Sequence, residues 1–275
     1  MTRTAARILW LVAGALIGSL ATVGAIRASR TPGNIFFTLR AQFATPAEDT
    51  SEANWLERTY GPDRQSMNFE EWIVRDFFRD RRGGTFVDVG SADYKANSNT
   101  WYLETHLGWS GIAIDAQADY RSGYVQNRPR TKFFSLFVGD RSNESARMFV
   151  SAGRGATSSQ REFTERHGPV TGTIELPTIT LNDLLDAQGF TTFDFLSMDI
   201  ELAEPRALAG FDIGRFKPAL ACVEAHPEVR QNILDYFAKN GYSVIGKYLR
   251  VDAINLWFAP LGTPIAPFPF NEQQQ

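Results

Sequence analysis

Acidic residues recur at one kind of place in this 275-residue chain, the carboxyl end of a short β-branched or aromatic run. Asp88 falls within TFVDV, Asp115 closes GIAID, Asp140 follows KFFSLFV, Asp199 closes FDFLSMD with Glu201 two residues on, and Glu224 lies in ALACVEA. With Gly90 they make seven strand-end positions, six of them acidic. Carboxylates gathered on one rim repel unless cations or donors oppose them, so stability alone does not explain such a rim. It is the candidate active site, because open α/β sheets bind small ligands outside the carboxyl ends of their strands. Asp115, at the second strand tip, is suited to accept two hydrogen bonds from ribose hydroxyls; the plain alternative is a surface carboxylate capping the next helix. Gly90 lets the backbone approach a ligand closely, although one glycine also marks any ordinary turn.

The elements that must position these residues follow from periodicity. NFEEWIVRDFF has apolar residues at helical spacing, with Asn68 and Glu71 in a capping-box relation, and should pack over the sheet. From Thr85 strands and helices alternate: TFVDV, a helix near Ser98 to Leu107, GIAID, a helix near Asp119 to Asn127, then KFFSLFV as one strand. Such alternation demands parallel strands joined by right-handed crossovers. Residues 141–178 break it and read as an insertion with short strands and a mobile loop, a common place for substrate-shaping lids. A helix TLNDLLDAQ, capped by Thr180 with Asp183, leads back to FDFLSMD. A short helix near Glu204 to Ala209, the strand ALACVEA and the helix VRQNILDYFAKNG come next. YSVIGKY and DAINLWFA then suggest an antiparallel edge hairpin with a tight link.

Composition narrows the classes. With 43% hydrophobic and 21% charged residues the chain is globular, and a net charge of −3 gives no electrostatic case for nucleic acid. The one cysteine, Cys222, reads as a buried and inert strand residue. His106, His167 and His226 are too scattered for a spacing-defined zinc site. Residues 8–26 are uncharged and mostly apolar, ~28 Å as a helix, which just spans a bilayer. An uncleaved anchor is favoured over a signal peptide, and Gly14 and Gly18 form a GxxxG pair that offers a route to an oligomer. Residues 27–65 lack a sustained period and read as a stalk and lead-in. The expected organisation is therefore an anchor over 1–30, a stalk over 31–67, a catalytic domain over 68–260 and a flexible tail over 261–275.

Two carboxylates on successive strand tips, Asp88 and Asp115, 27 residues apart, suit a ligand with an amino-acid end and a ribose end, which describes S-adenosylmethionine. GxGxxG and GxxxxGK[ST] are absent from the sequence, against NAD and nucleoside triphosphates. FVDVGSADYKANSNTWYLETHLGWSGIAIDAQADY, NRPRTKFFSLFVGD, TLNDLLDAQGFTTFDFLSMDIELAEPRALAGFD and ACVEAHPEVRQNILDYFAKNGY resemble, in order, the motifs of the FkbM family of S-adenosylmethionine-dependent methyltransferases. The resemblance spans roughly residues 68 to 258. It implies an α/β fold with a doubly wound, Rossmann-like class I sheet, and an O-methylating activity on sugars or other small-molecule hydroxyls. It also places Asp88, Gly90 and Ser91 at the methionine end, Asp115 on the ribose, Asp140 near the adenine, and Asp199 and Glu201 beside the transferring methyl. The chain departs from the family pattern at Ala92, Asp93 and Tyr94, and at Leu202, where a glycine is usual.

A sulfonium methyl is already activated, so the remaining task is to align an oxygen nucleophile and take its proton. Asp199, Glu201, Glu224 and His226 are the candidates for this base, and only His226 has an unperturbed pKa near neutrality. Asp199 with Glu201 could hold a divalent cation, but two carboxylates do not specify a metal, and none is assigned. Ser158 and Ser159 are candidate substrate contacts. The expected acceptor is a hydroxyl on a sugar, a lipid-linked glycan or a secondary metabolite. Because the cofactor is made in the cytoplasm, the anchored catalytic domain should face it. Two other readings stand beside this one: an inactive relative serving as a membrane-anchored protein-binding module, and, more weakly, a dinucleotide oxidoreductase.

Overall fold

The computed structural model describes residues 51–61, 63–152 and 155–269. The expected anchor helix over 8–26, its Gly14/Gly18 pair and most of the stalk lie outside them. Among the described residues, no helix is long and apolar enough to cross a membrane. Two helices precede the first strand: α1 (Ser51–Tyr60) and α2 (Glu70–Phe78). Then come β1 (Thr85–Val89), α3 (Trp101–Leu107), β2 (Ser110–Asp115), a 3₁₀ turn at Ala118–Tyr120, α4 (Arg121–Asn127) and β3 (Thr131–Ser135). The insertion supplies β4 (Phe137–Val138), β5 (Ser145–Ser151), α5 (Arg161–His167) and β6 (Val170–Ile179). The chain resumes with α6 (Leu181–Ala187), β7 (Phe195–Met198), α7 (Glu204–Ala209), α8 (Ile213–Phe216) and β8 (Leu220–Glu224). It closes with α9 (Arg230–Lys239), β9 (Tyr242–Val244) and β10 (Asn255–Pro260).

Seven strands form the main sheet in the order β3-β2-β1-β7-β8-β10-β9. β3, β2, β1, β7 and β8 run parallel, and β10 is antiparallel to both β8 and β9. This is a Rossmann-like, doubly wound sheet with an antiparallel edge. The chain builds outward from β1 to β3 and then returns to the other flank of β1 as β7. That reversal between β1 and β7 is the switch point at which open sheets bind ligands. β1, β2, β7 and β8 are apolar nearly throughout because both sheet faces are covered. On one face Phe86, Phe195 and Leu220 pack with Trp72, Trp109 and Trp257.

Several elements differ from expectation. KFFSLFV is split: β3 stays in the main sheet, while β4 turns away to join β6 and β5 in a separate three-stranded sheet. The Asn68–Glu71 capping box does not form. Ser66 Oγ instead accepts the Glu71 N–H at 3.0 Å, and Glu70 accepts the Asn68 N–H at 2.8 Å. Thr180 does cap α6, accepting the Asp183 N–H at 3.1 Å. β9 and β10 pair as an antiparallel edge, but their link is long and contains a 3₁₀ turn. Residues 51–60, read as stalk, form a helix whose Ala53 and Leu56 are buried. Their spacing is helical, but the stripe is too short to stand out among polar neighbours. Phe268, in the expected flexible tail, sets its ring 5.3 Å from Trp55. Cys222 is buried in β8.

Candidate active site

A cavity of about 230 Å³ opens at the carboxyl ends of β1, β2, β7 and β8. Asp88, Gly90, Ser91, Asp115, Asp199, Glu201 and Glu224 all line it. Strand order brings them together: β1 lies between β2 and β7, so residues more than a hundred positions apart share one rim. Two expected site residues are placed differently. His226 does not line the cavity but stands against Glu201 and Glu224. Asp140 lies on the surface, where Arg206 Nε donates to it at 2.6 Å and holds its carboxyl below the usual range. The expectation for Asp140 treated it as the tip of a main-sheet strand. The strand before it belongs to the small sheet, and the cavity wall there is instead Leu136, Phe137 and Val138.

The β1–β2 side is closely organised. Asp115 Oδ2 accepts the Ala92 N–H at 2.9 Å and Oδ1 accepts the Gln117 N–H at 2.8 Å. Burial raises the Asp115 pKa, and these two bonds oppose the rise. Ala92 holds a left-handed φ of 47°, and this geometry accompanies its N–H bond to Asp115. Asp93 accepts the N–H groups of Lys95 and Ala96, and the Tyr94 carbonyl accepts from Arg128 at 2.8 Å. The loop at Ala92, Asp93 and Tyr94 is thus fixed by its own Asp93 together with Asp115 and Arg128 outside it. Asp88, 3% exposed, accepts from the Thr100 hydroxyl at 2.8 Å, and burial pushes its pKa up to about 6. The buried Arg128–Glu104 pair, 2.5 Å apart, stands beneath it and also binds Thr100. Ser91 Oγ is buried with no hydrogen-bond partner.

Gly90 lines the cavity and also serves a second close approach, to the backbone at the tip of β7. With φ at +84°, a Cβ there would lie 1.7 Å from the Asp199 carbonyl oxygen. The glycine therefore lets the first turn pack on the backbone at the tip of β7, which joins the two sides of the cavity.

The β7–β8 side is crowded with carboxyls. Asp199 is exposed to the cavity and shares a hydrogen bond with the Glu224 carboxyl. Burial raises the pKa values of both Asp199 and Glu224. The hydrogen bond between the two carboxyls raises Glu224 further while it pulls Asp199 down. The charges of Glu70, Asp88 and Asp115 add to the rise at Asp199, and those of Asp199, Glu201 and Glu204 to the rise at Glu224. Glu201 is pushed up to about 8, first by burial and then by the charges of Asp199 and Glu204. Glu204, fully buried, is pushed up to about 7; its Oε1 accepts the Ile200 N–H at 2.9 Å, while Oε2 has no partner. Burial lowers the pKa of His226, whose ring lies edge-on to Phe163 at 5.0 Å. Glu201 and Leu202 both have left-handed backbones, φ 55° and 75°, so the turn after β7 is strained at two non-glycine residues.

Sequence reasoning missed part of the wall. Glu70 and Asn255 line the cavity and bind each other, Asn255 Nδ2 donating to Glu70 Oε1 at 3.0 Å. No local signal separates Glu70 from its neighbour Glu71. Asn97, Asn99 and, from the insertion, Met148 and Thr157 also line it. Ser158, expected to touch substrate, is fully buried and donates to the Glu201 carbonyl at 2.6 Å.

A family model described as the methyltransferase FkbM domain matches residues 88–244, more than half of the chain. The chain belongs to the FkbM methyltransferase family. It is an S-adenosylmethionine-dependent methyltransferase, and S-adenosylmethionine is its cofactor. No curated protein matches the sequence. Among solved structures, a TehB-like S-adenosylmethionine-dependent methyltransferase from Corynebacterium glutamicum is 14% identical, with 76% of this chain and 97% of that one covered and a TM-score of 0.41. A 1,6-didemethyltoxoflavin-N1-methyltransferase from Burkholderia thailandensis is 10% identical, covering 84% and 91% at a TM-score of 0.38. A putative RNA methyltransferase from Pyrococcus horikoshii is 13% identical, covering 81% and 96% at 0.35. All three likenesses are remote.

The cavity's residues fit the cofactor. Flat apolar surface at Phe137 and Ile114, carboxylates at Asp88 and Asp115, and amides at Asn97 and Asn99 match an adenine, a ribose and an amino acid. The unpartnered Ser91 hydroxyl leaves one buried donor for a ligand.

Proposed function

We propose that this methyltransferase methylates a hydroxyl of a sugar, a glycolipid or a secondary metabolite. The observation that carries the reading is Asp199, a carboxyl open to the cavity at the tip of β7, with Glu201 beside it and Glu224 hydrogen-bonded to it. When bound, S-adenosylmethionine supplies a methyl already activated as a sulfonium. The protein then has to hold the acceptor in line and receive one proton. A hydroxyl keeps its proton at neutral pH, so it needs the base that Asp199 provides.

We assign the ribose hydroxyls to Asp115, whose oxygens keep lone pairs beyond the two backbone bonds. Asp88, Gly90 and Ser91 take the methionine end, and Leu136 to Val138 form the adenine wall in place of Asp140. His226, behind Glu201 and Glu224, acts through them rather than on the acceptor. Met67 and Ile254, both exposed, make an apolar lip at the mouth that suits a lipid-linked acceptor. Residues 8–26 would hold the domain at the cytoplasmic face of a membrane, beside such an acceptor.

The test is to incubate the full chain with S-adenosylmethionine and a panel of sugars and lipid-linked glycans. Mass spectrometry should find S-adenosylhomocysteine with a methyl ether, and no product from an acceptor deoxygenated at that position. A methyl group found on nitrogen or carbon of the accepted compound would refute the reading.

A further inference from the structure

Glu201, Glu224 and His226 converge in a way that neither cofactor binding nor proton uptake accounts for. His226 Nε2 lies 3.1 Å from Glu224 Oε1 and 3.3 Å from Glu201 Oε2. Donor atoms of all three lie within 4.8 Å of one another. One ring nitrogen carries at most one hydrogen, so it cannot fully satisfy two carboxylate oxygens. A second observation is independent of this spacing. Glu224 is only 7% exposed, its Oε2 receives no N–H or hydroxyl donor, and the polar neighbour hydrogen-bonded to its carboxyl is another acid, Asp199. A buried carboxylate oxygen without a donor is costly, and it points to a partner such as an ion.

We propose that Glu201, Glu224 and His226 form a binding site for a divalent transition-metal cation of the Mn²⁺, Co²⁺ or Zn²⁺ class. One imidazole with two carboxylates favours these ions over Mg²⁺ and Ca²⁺, which take oxygen ligands. The two distances from His226 Nε2, 3.1 and 3.3 Å, agree with this: ligand atoms ~2.0 to 2.2 Å from one ion stand about 3 to 3.5 Å from each other. The fold brings the ligands together from adjacent strands, with Glu201 in the turn after β7 and Glu224 and His226 at the end of β8. Phe163 of the insertion fixes the imidazole from the side. Because Glu201 and Glu224 line the cavity, an ion held by them is within reach of the acceptor's oxygen. That use of the ion rests on hydroxyl methylation as proposed above, whereas its binding does not.

Mn²⁺ titrated into the chelator-stripped full chain, without S-adenosylmethionine and followed by electron paramagnetic resonance of the free ion, tests the site. The expected result is one saturable site of micromolar affinity, displaced by Zn²⁺, and weakened about 10- to 100-fold in both Glu201→Gln and His226→Gln. Melting curves recorded without metal verify that each variant is folded; Glu224→Gln replaces either one that is not. No saturable site in the unaltered chain, or unchanged Mn²⁺ affinity in folded variants, overturns the proposal. Tight Mn²⁺ binding by a chain that methylates only nitrogen would keep the site and remove the hydroxyl reading alone.

Discussion

The two sides of the cavity satisfy their carboxylates in opposite ways. On the β1–β2 side both oxygens of Asp115 accept backbone N–H groups, and Asp88 accepts a buried hydroxyl. On the β7–β8 side Glu204 and Glu224 each keep a buried oxygen without an N–H or hydroxyl donor, and Glu201 is pushed up to about 8. The first arrangement fixes a shape before any ligand arrives. The second stores repulsion that a proton, a cation or an acceptor relieves. On the proposed function, binding and chemistry fall to different strand pairs of one sheet, with Gly90 as the joint between them.

The largest expected effect comes from breaking that joint. Gly90→Ala forces a Cβ onto the Asp199 carbonyl at a φ of +84°, and should cost at least ~3 kcal/mol of stability. Chemical denaturation should find little folded protein; a cooperative transition like that of the unaltered chain would mean that the two sides are not locked together here.

Glu204→Gln sharpens the contrast in charge. The Glu204 carboxyl titrates near 4.5 when unfolded and near 7 when folded. Between those values the folded chain retains a proton that the unfolded chain has released, so stability falls as pH rises through the window and levels off above it. The amide variant should lose this part of the decline, amounting to up to about 3 kcal/mol. Denaturant midpoints at intervals from pH 4.5 to 7.5 measure it; parallel profiles for both proteins would show that Glu204 is not held protonated.

A smaller effect, about 1 kcal/mol, is expected for Ser158→Ala, which removes the hydroxyl bond to the Glu201 carbonyl. It should lower methyl transfer more than cofactor affinity, because the turn it supports belongs to the β7–β8 side. A loss confined to cofactor affinity would undo that assignment.

Much of the main sheet was legible because its strands are continuous apolar runs ended by acids, and strand tips in a parallel sheet point to one rim. Asp88, Asp115, Asp199, Glu201 and Glu224 could be placed on that logic. Asp140 could not, because nothing local in KFFSLFVGD shows that the chain leaves the main sheet at Leu136. Nor could the contact between His226 and Glu201, 25 residues apart, which depends on β7 and β8 being neighbours and on the left-handed turn at Glu201. Glu70 was hidden for a related reason: its partner Asn255 lies 185 residues away.

Calorimetry with S-adenosylmethionine on Asp115→Ala and Asp199→Asn, alongside turnover of each, tests the division of labour most directly. Asp115→Ala should lose about 100-fold in cofactor affinity, the worth of about two hydrogen bonds to a charged group. Asp199→Asn should bind the cofactor nearly as the unaltered chain does while losing methyl transfer. Full affinity in Asp115→Ala, or equal loss of affinity in both variants, would contradict it.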